Sequence, residues 1–291
     1  MHFVGIIHSV NLKNKVFSIR NKTGVKFFYL QNNLIKKFKK YLEKGRYVAF
    51  DYDEDKIIVK NKITSFQVNY FTKIIRKTKR RNIKYYDLKI IQSGIRDLIN
   101  SLENVMFLDL EMTMQDYHHN EKFKTEIIQA GYIIVDKDNN VLCEKSNYVK
   151  PTVCKRITAR TYQFLGINKD DLKDAISYKE FYKDFKNVLN TYHPTILVWG
   201  KNDIKVINDS YSLNKVKSLA DLTTFINLLS IQKNYFNLKN DLGLFRAYSI
   251  YNHTEDIFQA HDALADARVT FEVYKLFKEI INQNEEFVFP K

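Results

Sequence analysis

The chain has 291 residues, of which 47 are lysine or arginine and 33 are aspartate or glutamate, giving a formal net charge of +14. Its 45% hydrophobic content excludes a disordered polypeptide, and no apolar run approaches the ~18 residues that a membrane-spanning helix requires. A positive excess of this size favours a polyanionic partner. Because the first residues also lack the basic start of a signal peptide, we expect neither export nor membrane insertion, and we expect a cytoplasmic location.

The positive charge is confined to the first third of the chain. Residues 1–100 contain 23 basic and 7 acidic residues, a net charge of +16, whereas residues 101–291 carry a net charge of −2. Abundant lysine is also typical of an AT-rich coding bias, but such a bias does not explain why the second part is balanced. We therefore predict a basic N-terminal segment joined to a domain that has a different function.

Residues 1–72 are predicted to form a small, basic, β-rich domain. Three β-rich runs separated by turn signals are followed by an amphipathic helix and two further strands. The predicted strands are Phe3–Val10, Lys15–Arg20, Val25–Leu30, Tyr47–Tyr52 and Ile57–Val68, and the helix covers Leu34–Leu42. This order is that of an OB-type barrel, a common binder of single-stranded nucleic acid, although other small β domains share it.

Residues 73–103 are predicted to be a basic linker followed by a bridging helix. The run from Arg76 to Arg81 holds five cations in six residues. Such a run is typical of a solvated linker, and it also suits contact with phosphate groups. An apolar stripe over Tyr85–Leu102 predicts one helix that joins the two domains.

Residues 104–291 alternate between strands and helices, which predicts an α/β domain with a central mixed sheet. The expected elements are strands at Val105–Glu111, Glu126–Val135, Val141–Val149 and Thr195–Gly200, a helix around Phe181–Leu189, and a long helix from Asp262 to about Ile281. The candidate catalytic and metal-binding side chains lie in or next to three of these elements.

Two carboxylates interrupt the apolar strand Val105–Glu111. Because side chains alternate along a strand, Asp109 and Glu111 lie on the same face. Adjacent acids in an apolar strand are costly to bury unless a cation lies between them, and Mg²⁺ is the natural candidate because it takes carboxylate oxygens and keeps positions open for phosphate. A solvated acidic pair on an edge strand would give the same pattern, so this motif alone does not decide.

Two further segments supply matching residues. Asp203 follows the strand Thr195–Gly200, at the strand end where α/β proteins usually carry their sites. His261 lies just before the long C-terminal helix, and Asp266 lies one turn into it. The imidazole, as a base, and the carboxylate, as a metal ligand, can therefore converge on one point. Ordinary explanations stay open, since Asp203 suits a turn and Asp262 suits a helix N-cap.

Together these motifs resemble the DEDDh superfamily of 3′-to-5′ exonucleases, which is related to the DnaQ proofreading fold. The matched residues, in the order of the family's motifs, are Asp109 and Glu111, then Asp203, then His261 and Asp266. The resemblance covers about residues 104–283. Within the superfamily, the segments Tyr148–Pro151 and Trp199–Asp203 are most similar to KapD-like and histone-mRNA or small-RNA trimming exoribonucleases.

This resemblance implies an RNase H-like mixed sheet flanked by helices over residues 104–291, and a hydrolase that releases nucleoside 5′-monophosphates from a 3′ end. The implied cofactors are two Mg²⁺ or Mn²⁺ ions, which stabilise the charge of the displacement at phosphorus. Their implied ligands are Asp109, Glu111, Asp203 and Asp266. His261 would take the proton from the attacking water, a role that suits an imidazole.

The resemblance also implies where the substrate binds. The segment around Leu110, Met112 and Thr113 would form the pocket for the last nucleotide, as in relatives.

His118 and His119 are rival bases, but no acid stands at a spacing that pairs with them, so they are interpreted as loop residues. Homodimerisation is common in relatives, and the sequence carries no signature of it.

The combined prediction is that the N-terminal domain holds a single strand of nucleic acid while the second domain trims its 3′ end. The candidates for stacking on bases, most of them expected in the core, are Phe17, Phe28, Tyr29, Tyr47 and Tyr52. RNA is favoured, but the motifs do not encode contacts to the 2′-OH, so a DNA exonuclease of the proofreading or repair type stays open. The alternative from another class is a nucleic-acid-binding protein with an idle nuclease fold, against which all five catalytic positions are present.

Overall fold

A computed structural model gives the fold of the chain. It describes residues 1–22, 24–60, 63–117, 123–154, 156–254 and 261–283, together with Phe287 and Phe289. The predicted loop histidines His118 and His119 lie outside the described residues. The chain divides into two compact units, the first comprising Met1–Ile95 with Asn234–Lys239 and the second Arg96–Lys233 with Asn240–Lys291. The domain boundaries at residues 72 and 103 stay a prediction.

The first unit contains a β-barrel with a helix between its third and fourth strands. Its elements are β1 (His2–Asn11), β2 (Val16–Asn21), β3 (Gly24–Tyr29), α1 (Asn32–Phe38), β4 (Tyr47–Lys60), β5 (Ile63–Lys77) and β6 (Asn82–Asp87). The strands pair in the order β3-β2-β1-β4-β5-β6, and an additional parallel pairing of β3 with β5 closes the first five strands into a ring. Three strands, a helix and two strands closed in this way fit the OB-type barrel that the sequence predicts.

Aromatic side chains fill the interior of this barrel. Phe17, Phe28 and Tyr52 are buried, with at most 3% of their surface exposed, so these three of the candidate stacking residues belong to the core. The rings of Phe28 and Phe50 meet edge to face with their centroids 4.7 Å apart, a favourable geometry for two aromatic rings. Burial of this kind explains why the basic first third of the chain is also rich in phenylalanine and tyrosine.

The predicted strand Ile57–Val68 is wrong as a single element. It contains the end of β4 and the start of β5, which pair antiparallel with Lys60 opposite Ile63. The segment has no glycine or proline to mark the change of direction, so its β-rich composition predicts one uninterrupted strand.

The basic run Arg76–Arg81 also differs from its prediction as a linker. It forms the end of β5 and a tight turn before β6, in which the Thr78 hydroxyl donates to the Arg81 carbonyl at 2.5 Å. Residues 82–87 pair with β5 as β6, and a helix begins only at Leu88. The apolar stripe that begins at Tyr85 is therefore shared by a strand and the helix that follows it.

The second unit is built on a mixed six-stranded sheet, as predicted. Its strands are β7 (Val105–Met112), β8 (Ile127–Val135), β9 (Val141–Lys150), β10 (Ile176–Ser177), β11 (Thr195–Val198) and β12 (Phe225–Asn227), in the spatial order β10-β9-β8-β7-β11-β12. β8 runs antiparallel to β7 and β9, whereas β11 runs parallel to β7.

Seven further α-helices occur among the described residues. They are α2 (Leu88–Asn100), α3 (Ala159–Leu165), α4 (Tyr178–Tyr192), α5 (Asn202–Leu213), α6 (Leu228–Tyr235), α7 (Leu244–Asn252) and α8 (Ala263–Asn282). Among the described residues, no helix has both the length and the hydropathy needed to cross a membrane.

Helices cover both faces of this sheet, and the alternation along β7 separates the two layers. The even-numbered residues of β7 pack in a buried core with α4 and α5. Phe107 points to the opposite face, where its ring centroid lies 5.1 Å from those of Phe271 and Tyr274 on α8. Asp109 and Glu111 follow Phe107 with the same period of two, so both carboxylates lie on the face that α8 covers.

Candidate active site

β7 places the first two predicted acids in the middle of the sheet. It lies between β8 and β11, so the alternative of an acidic pair on an edge strand does not apply. Asp109 is half-buried, and only 7% of Glu111 is exposed. In the pairing of β7 with β8, Asp109 lies opposite Gly131 and Glu111 lies opposite Gln129.

Asp203 reaches the same strand from α5. It lies in the first turn of that helix, after β11, and is 5% exposed. Its Oδ1 accepts a hydrogen bond of 3.1 Å from the backbone N–H of Leu110, the residue between the two acids of β7. The structure therefore brings the predicted third acid to the main chain that carries the first two.

The start of α8 is fixed by two polar side chains. Asp262 caps the helix, because its Oδ1 accepts a hydrogen bond of 2.9 Å from the N–H of Ala265. Gln129 of β8 donates from Nε2 to Asp262 Oδ2 at 2.8 Å, and its Oε1 accepts from the N–H of Ala263 at 3.3 Å. The N-cap interpretation of Asp262 is thus correct, and this cap is also tied to the sheet.

Gly131 allows α8 to approach β8 at this point. A Cβ at residue 131 would overlap main-chain atoms of Ala263 and Leu264, which cannot move as a flexible side chain can. Sequence reasoning did not assign Gln129 or Gly131 a role. The polar Gln129 in an otherwise apolar strand is a signal that could have found one of them.

His261 and Asp266 face the acids of β7. His261 stands directly before the N-cap with a left-handed backbone, φ 52°, and its Nδ1 lies 3.9 Å from Glu111 Oε1. One ligand atom each from Glu111, His261 and Asp266 lies within 4.8 Å of the others. The ring of Phe164, on α3, packs on the imidazole with the centroids 4.1 Å apart, a contact for which the sequence gives no signal.

The carboxyl groups of the site raise one another's pKa values, in addition to the effect of burial. Burial, followed by the charges of Asp266 and Asp203, raises the pKa of Glu111 to about 8. Burial, followed by the charges of Asp203 and Asp266, holds the pKa of Asp109 well above its usual range. Burial also raises the pKa of Asp203 to about 6, although backbone hydrogen bonds, including the one from Leu110, oppose the shift. Without a cation, the ionised site is unfavourable.

The donor set fits a divalent cation. Carboxylate oxygens are the preferred ligands of Mg²⁺ and Mn²⁺. Four carboxylates brought together from β7, α5 and α8, three of them with raised pKa values, form a site whose charge a cation would neutralise. The residues that could hold it are Asp109, Glu111, Asp203 and Asp266.

The predicted nucleotide pocket divides into buried and accessible parts. Leu110 and Thr113 are each 2% exposed, and the Thr113 hydroxyl accepts a hydrogen bond of 2.9 Å from the N–H of Glu126. Met112 lines a cavity of about 620 Å³, together with Asn202 at the start of α5. The role of these residues in substrate binding stays a prediction.

Comparison with known families decides the classification. The model of the exonuclease family RNase_T matches residues 106–274, a span that includes Asp109, Glu111, Asp203, His261 and Asp266. The chain belongs to this family of exonucleases. The resemblance to DEDDh 3′-to-5′ exonucleases is therefore confirmed.

Two curated relatives of this exonuclease-family chain illustrate the match. It is 28% identical over 191 residues to the probable 3′-5′ exonuclease KapD of Bacillus subtilis (strain 168), covering 64% of this chain and 87% of KapD. It is 26% identical over 197 residues to DNA polymerase III subunit epsilon of Buchnera aphidicola subsp. Schizaphis graminum (strain Sg), covering 66% of this chain and 81% of that protein.

Solved structures share the fold. The nuclease domain of 3′hExo, a DEDDh family member bound to rAMP, is similar with a TM-score of 0.54 and 16% identity, over 66% of this chain and 98% of that chain. A 3′-exonuclease that recognises the histone mRNA stem-loop is similar with a TM-score of 0.54 and 15% identity, over 62% of this chain and 64% of that chain. At these identities the likeness shows the fold alone.

Proposed function

We propose that this chain is a metal-dependent 3′-to-5′ exonuclease that trims single-stranded nucleic acid, with RNA favoured, and releases nucleoside 5′-monophosphates. The observation that carries the proposal is the convergence of Glu111, His261 and Asp266 within 4.8 Å of one another. These residues come from β7 and from the beginning of α8, in a chain of an exonuclease family.

The acids of the site would hold two Mg²⁺ or Mn²⁺ ions. A bound divalent cation supplies stabilisation of the negative charge that develops at the reacting phosphate. The chain's own contribution is to keep four carboxylates close together despite their repulsion, through the β7 main chain, the first turn of α5 and the first turn of α8. The four are Asp109, Glu111, Asp203 and Asp266.

His261 would act as the general base. A ring nitrogen accepts the proton of the attacking water, and imidazole is the side chain best suited to take and return a proton near neutral pH. Phe164 packs on one side of the ring and the Glu111 carboxylate lies 3.9 Å from Nδ1. These contacts would orient the ring, and the carboxylate would stabilise the imidazolium that forms.

The N-terminal unit would hold the single strand. The basic turn Arg76–Arg81 is ordered by the Thr78 N–H, which donates to the Arg81 carbonyl, and by the Arg81 N–H, which donates to the Thr78 hydroxyl at 3.1 Å. Within the described part of the chain, Lys79, Arg80 and Arg81 form no ion pair with an acid. Cations displayed on an ordered turn can contact phosphates without first losing an internal partner.

The preference for RNA is supported by the resemblance of two segments, Tyr148–Pro151 and Trp199–Asp203, to trimming exoribonucleases. A DNA exonuclease is the second candidate, and the identity of 26% with a DNA polymerase III epsilon subunit favours it. Both candidates use the same catalytic residues, so they differ only in contacts to the sugar.

A matched pair of substrates tests the proposal. Single-stranded RNA and DNA of equal sequence, labelled at the 5′ end, are incubated with Mg²⁺, Mn²⁺ or EDTA, and the products are resolved by length. The proposal requires a metal-dependent ladder that shortens from the 3′ end, faster on RNA, and lost in the Asp109→Ala variant. A faster ladder on DNA would select the second candidate, and tight RNA binding without any ladder would favour the idle nuclease fold.

A further inference from the structure

The second unit contains a basic cavity that the catalytic proposal does not use. It has a volume of about 670 Å³ and lies between the end of β9, the loop that follows it, and α3. Its lining includes three cationic side chains, Lys150, Arg156 and Lys169, and the ring of Tyr162. This concentration of cations is unexpected in residues 101–291, which carry a net charge of −2.

The cations of this cavity are available to an external anion. In the ranges that the structure describes, Lys150, Arg156 and Lys169 form no ion pair. Glu180 interacts electrostatically with Lys150, but its Oε2 already accepts hydrogen bonds from the N–H and the hydroxyl of Ser177, at 2.8 and 2.7 Å, in the capping box of α4. That carboxylate oxygen is therefore engaged by the helix cap.

Residues 152–154, in the loop beside the cavity, are held in place. The carboxylate of Glu126 is 4% exposed and accepts hydrogen bonds of 2.5–3.1 Å from the N–H groups of Thr152, Val153 and Cys154. The main chain of Glu126 also pairs with Thr113, directly after β7. A loop fixed in this way costs little ordering entropy when a ligand binds.

The opposite rim is fixed by a local turn. The N–H of Asn168 donates to Asp171 Oδ2 at 2.7 Å, and the N–H of Asp170 donates to Asn168 Oδ1 at 2.7 Å. Lys169 lies inside this turn, so its backbone position is set before any ligand binds.

One helix separates the cavity from the catalytic histidine. On α3, Tyr162 lines the cavity, whereas Phe164 packs on His261. Two residues along a helix lie about 200° apart around its axis, so the two rings leave from nearly opposite sides of α3. The cavity and His261 therefore lie on nearly opposite sides of α3.

We propose that this cavity binds a phosphate group of a nucleic acid through Lys150, Arg156 and Lys169, with Tyr162 offering a ring against which a base packs. The inference rests on the proposed function for the identity of the ligand. The phosphate belongs either to the backbone of a strand whose 3′ end lies at the acidic cluster or to a free nucleoside 5′-monophosphate, and the chemistry of recognition is the same.

Binding without hydrolysis tests this cavity independently of activity. In EDTA, a fluorescein-labelled single-stranded RNA and adenosine 5′-monophosphate are each titrated into the full chain at several salt concentrations. The variant is Arg156→Gln with Lys169→Gln. The matched control is Lys183→Gln with Lys186→Gln, which removes the same charge from exposed positions of α4. Thermal unfolding checks that both proteins are folded.

A backbone-phosphate site requires that the variant binds RNA about tenfold more weakly than the control. Because each phosphate contact to a single strand contributes a salt slope of about −0.7, the loss of two contacts makes the slope shallower by about 1.4. A mononucleotide site requires weaker binding of adenosine 5′-monophosphate in the variant, with RNA binding equal to that of the control. Equal affinities of variant and control for both ligands would overturn the inference, while a 3′-to-5′ ladder from the same proteins would leave the proposed function intact.

Discussion

Gly131 on β8 lies against the main-chain nitrogen of Leu264, in the first turn of α8, with no room for a Cβ between them. Gly131 is also the residue opposite Asp109 in the pairing of β7 with β8. This close approach therefore sets the separation between the acids of β7 and the helix that carries Asp266. A small change in this separation would displace Asp266 relative to the acids of β7 without unfolding the sheet.

The Gly131→Ala variant tests this relationship. The added methyl group meets rigid backbone, so we expect a loss of about 1–3 kcal/mol in the free energy of unfolding, as for other overpacked sites. Activity should fall by more than tenfold even at temperatures where the variant is folded, because α8 is pushed away from Glu111. Urea unfolding and nuclease assays on the same samples give both quantities.

Gly94→Ala is the matched control, since a Cβ at Gly94 of α2 meets nothing within 4 Å. Alanine favours a helix interior over glycine by up to about 1 kcal/mol, so this variant should be at least as stable as the parent and equally active. If Gly131→Ala behaves like Gly94→Ala, the contact with α8 does not position the site.

The pH dependence of stability without metal provides a second prediction. Glu111 has a folded-state pKa of about 8, above the 4.5 of an unfolded chain. The folded protein therefore holds this proton more tightly, and the resulting stability is complete below about pH 4.5 and is lost as the pH rises to 8. The loss amounts to at most about 1.4 kcal/mol per pH unit from this group.

Urea unfolding in EDTA between pH 5 and 8 measures this effect. The parent should lose stability across the range, and Glu111→Gln should lose less because it cannot ionise. Added Mg²⁺ should restore stability at pH 8 in the parent by favouring the charged carboxylates. A parent and a Glu111→Gln variant with the same pH dependence would show that Glu111 ionises normally.

Phe164 provides a third prediction, because its ring packs on His261 although 44% of it is exposed. Phe164→Ala removes the surface that orients the imidazole, so kcat should fall about tenfold while KM and thermal stability change little. Phe164→Tyr keeps the ring and should retain activity. Equal kcat values for the alanine and tyrosine variants would mean that His261 is oriented without this contact.

The basic turn of the N-terminal unit provides a fourth prediction. Arg80→Gln with Arg81→Gln removes two cations that have no internal partner within the described residues. The affinity for single-stranded RNA should fall, and the salt slope of binding should become shallower by about 1.4. Unchanged affinity and slope, measured by fluorescence anisotropy in EDTA, would argue against strand binding at this turn.

The acids of the site could be predicted from the sequence because chemistry and periodicity agree there. Asp109 and Glu111 are two residues apart in an apolar strand, and no packing argument explains two carboxylates on one buried face. His261 and Asp266 stand at a helix start, where the N-cap pattern fixes the geometry. Short-range rules therefore mark these residues as candidates, and the resemblance to the exonuclease family joins them into one site.

The supporting contacts could not be predicted because they join distant segments. Gln129 binds the cap of α8, and Phe164 packs on His261 only after α3 is placed against the sheet. The hairpin within Ile57–Val68 was missed for a different reason, since its reversal carries no glycine or proline. Such features follow from tertiary packing and from turns without a sequence signal.

Trimming of 5′-labelled single-stranded RNA in Mg²⁺ by the parent, Glu111→Gln and Glu279→Gln tests whether the acidic cluster is the active site. Glu279 is an exposed residue of the same charge on α8, about 20 Å along the helix from Asp266 at 1.5 Å per residue. We expect a 3′-to-5′ ladder of equal rate from the parent and Glu279→Gln, and a rate at least 100-fold lower from Glu111→Gln. An undiminished ladder from folded Glu111→Gln protein would contradict the assignment of this acidic cluster as the active site.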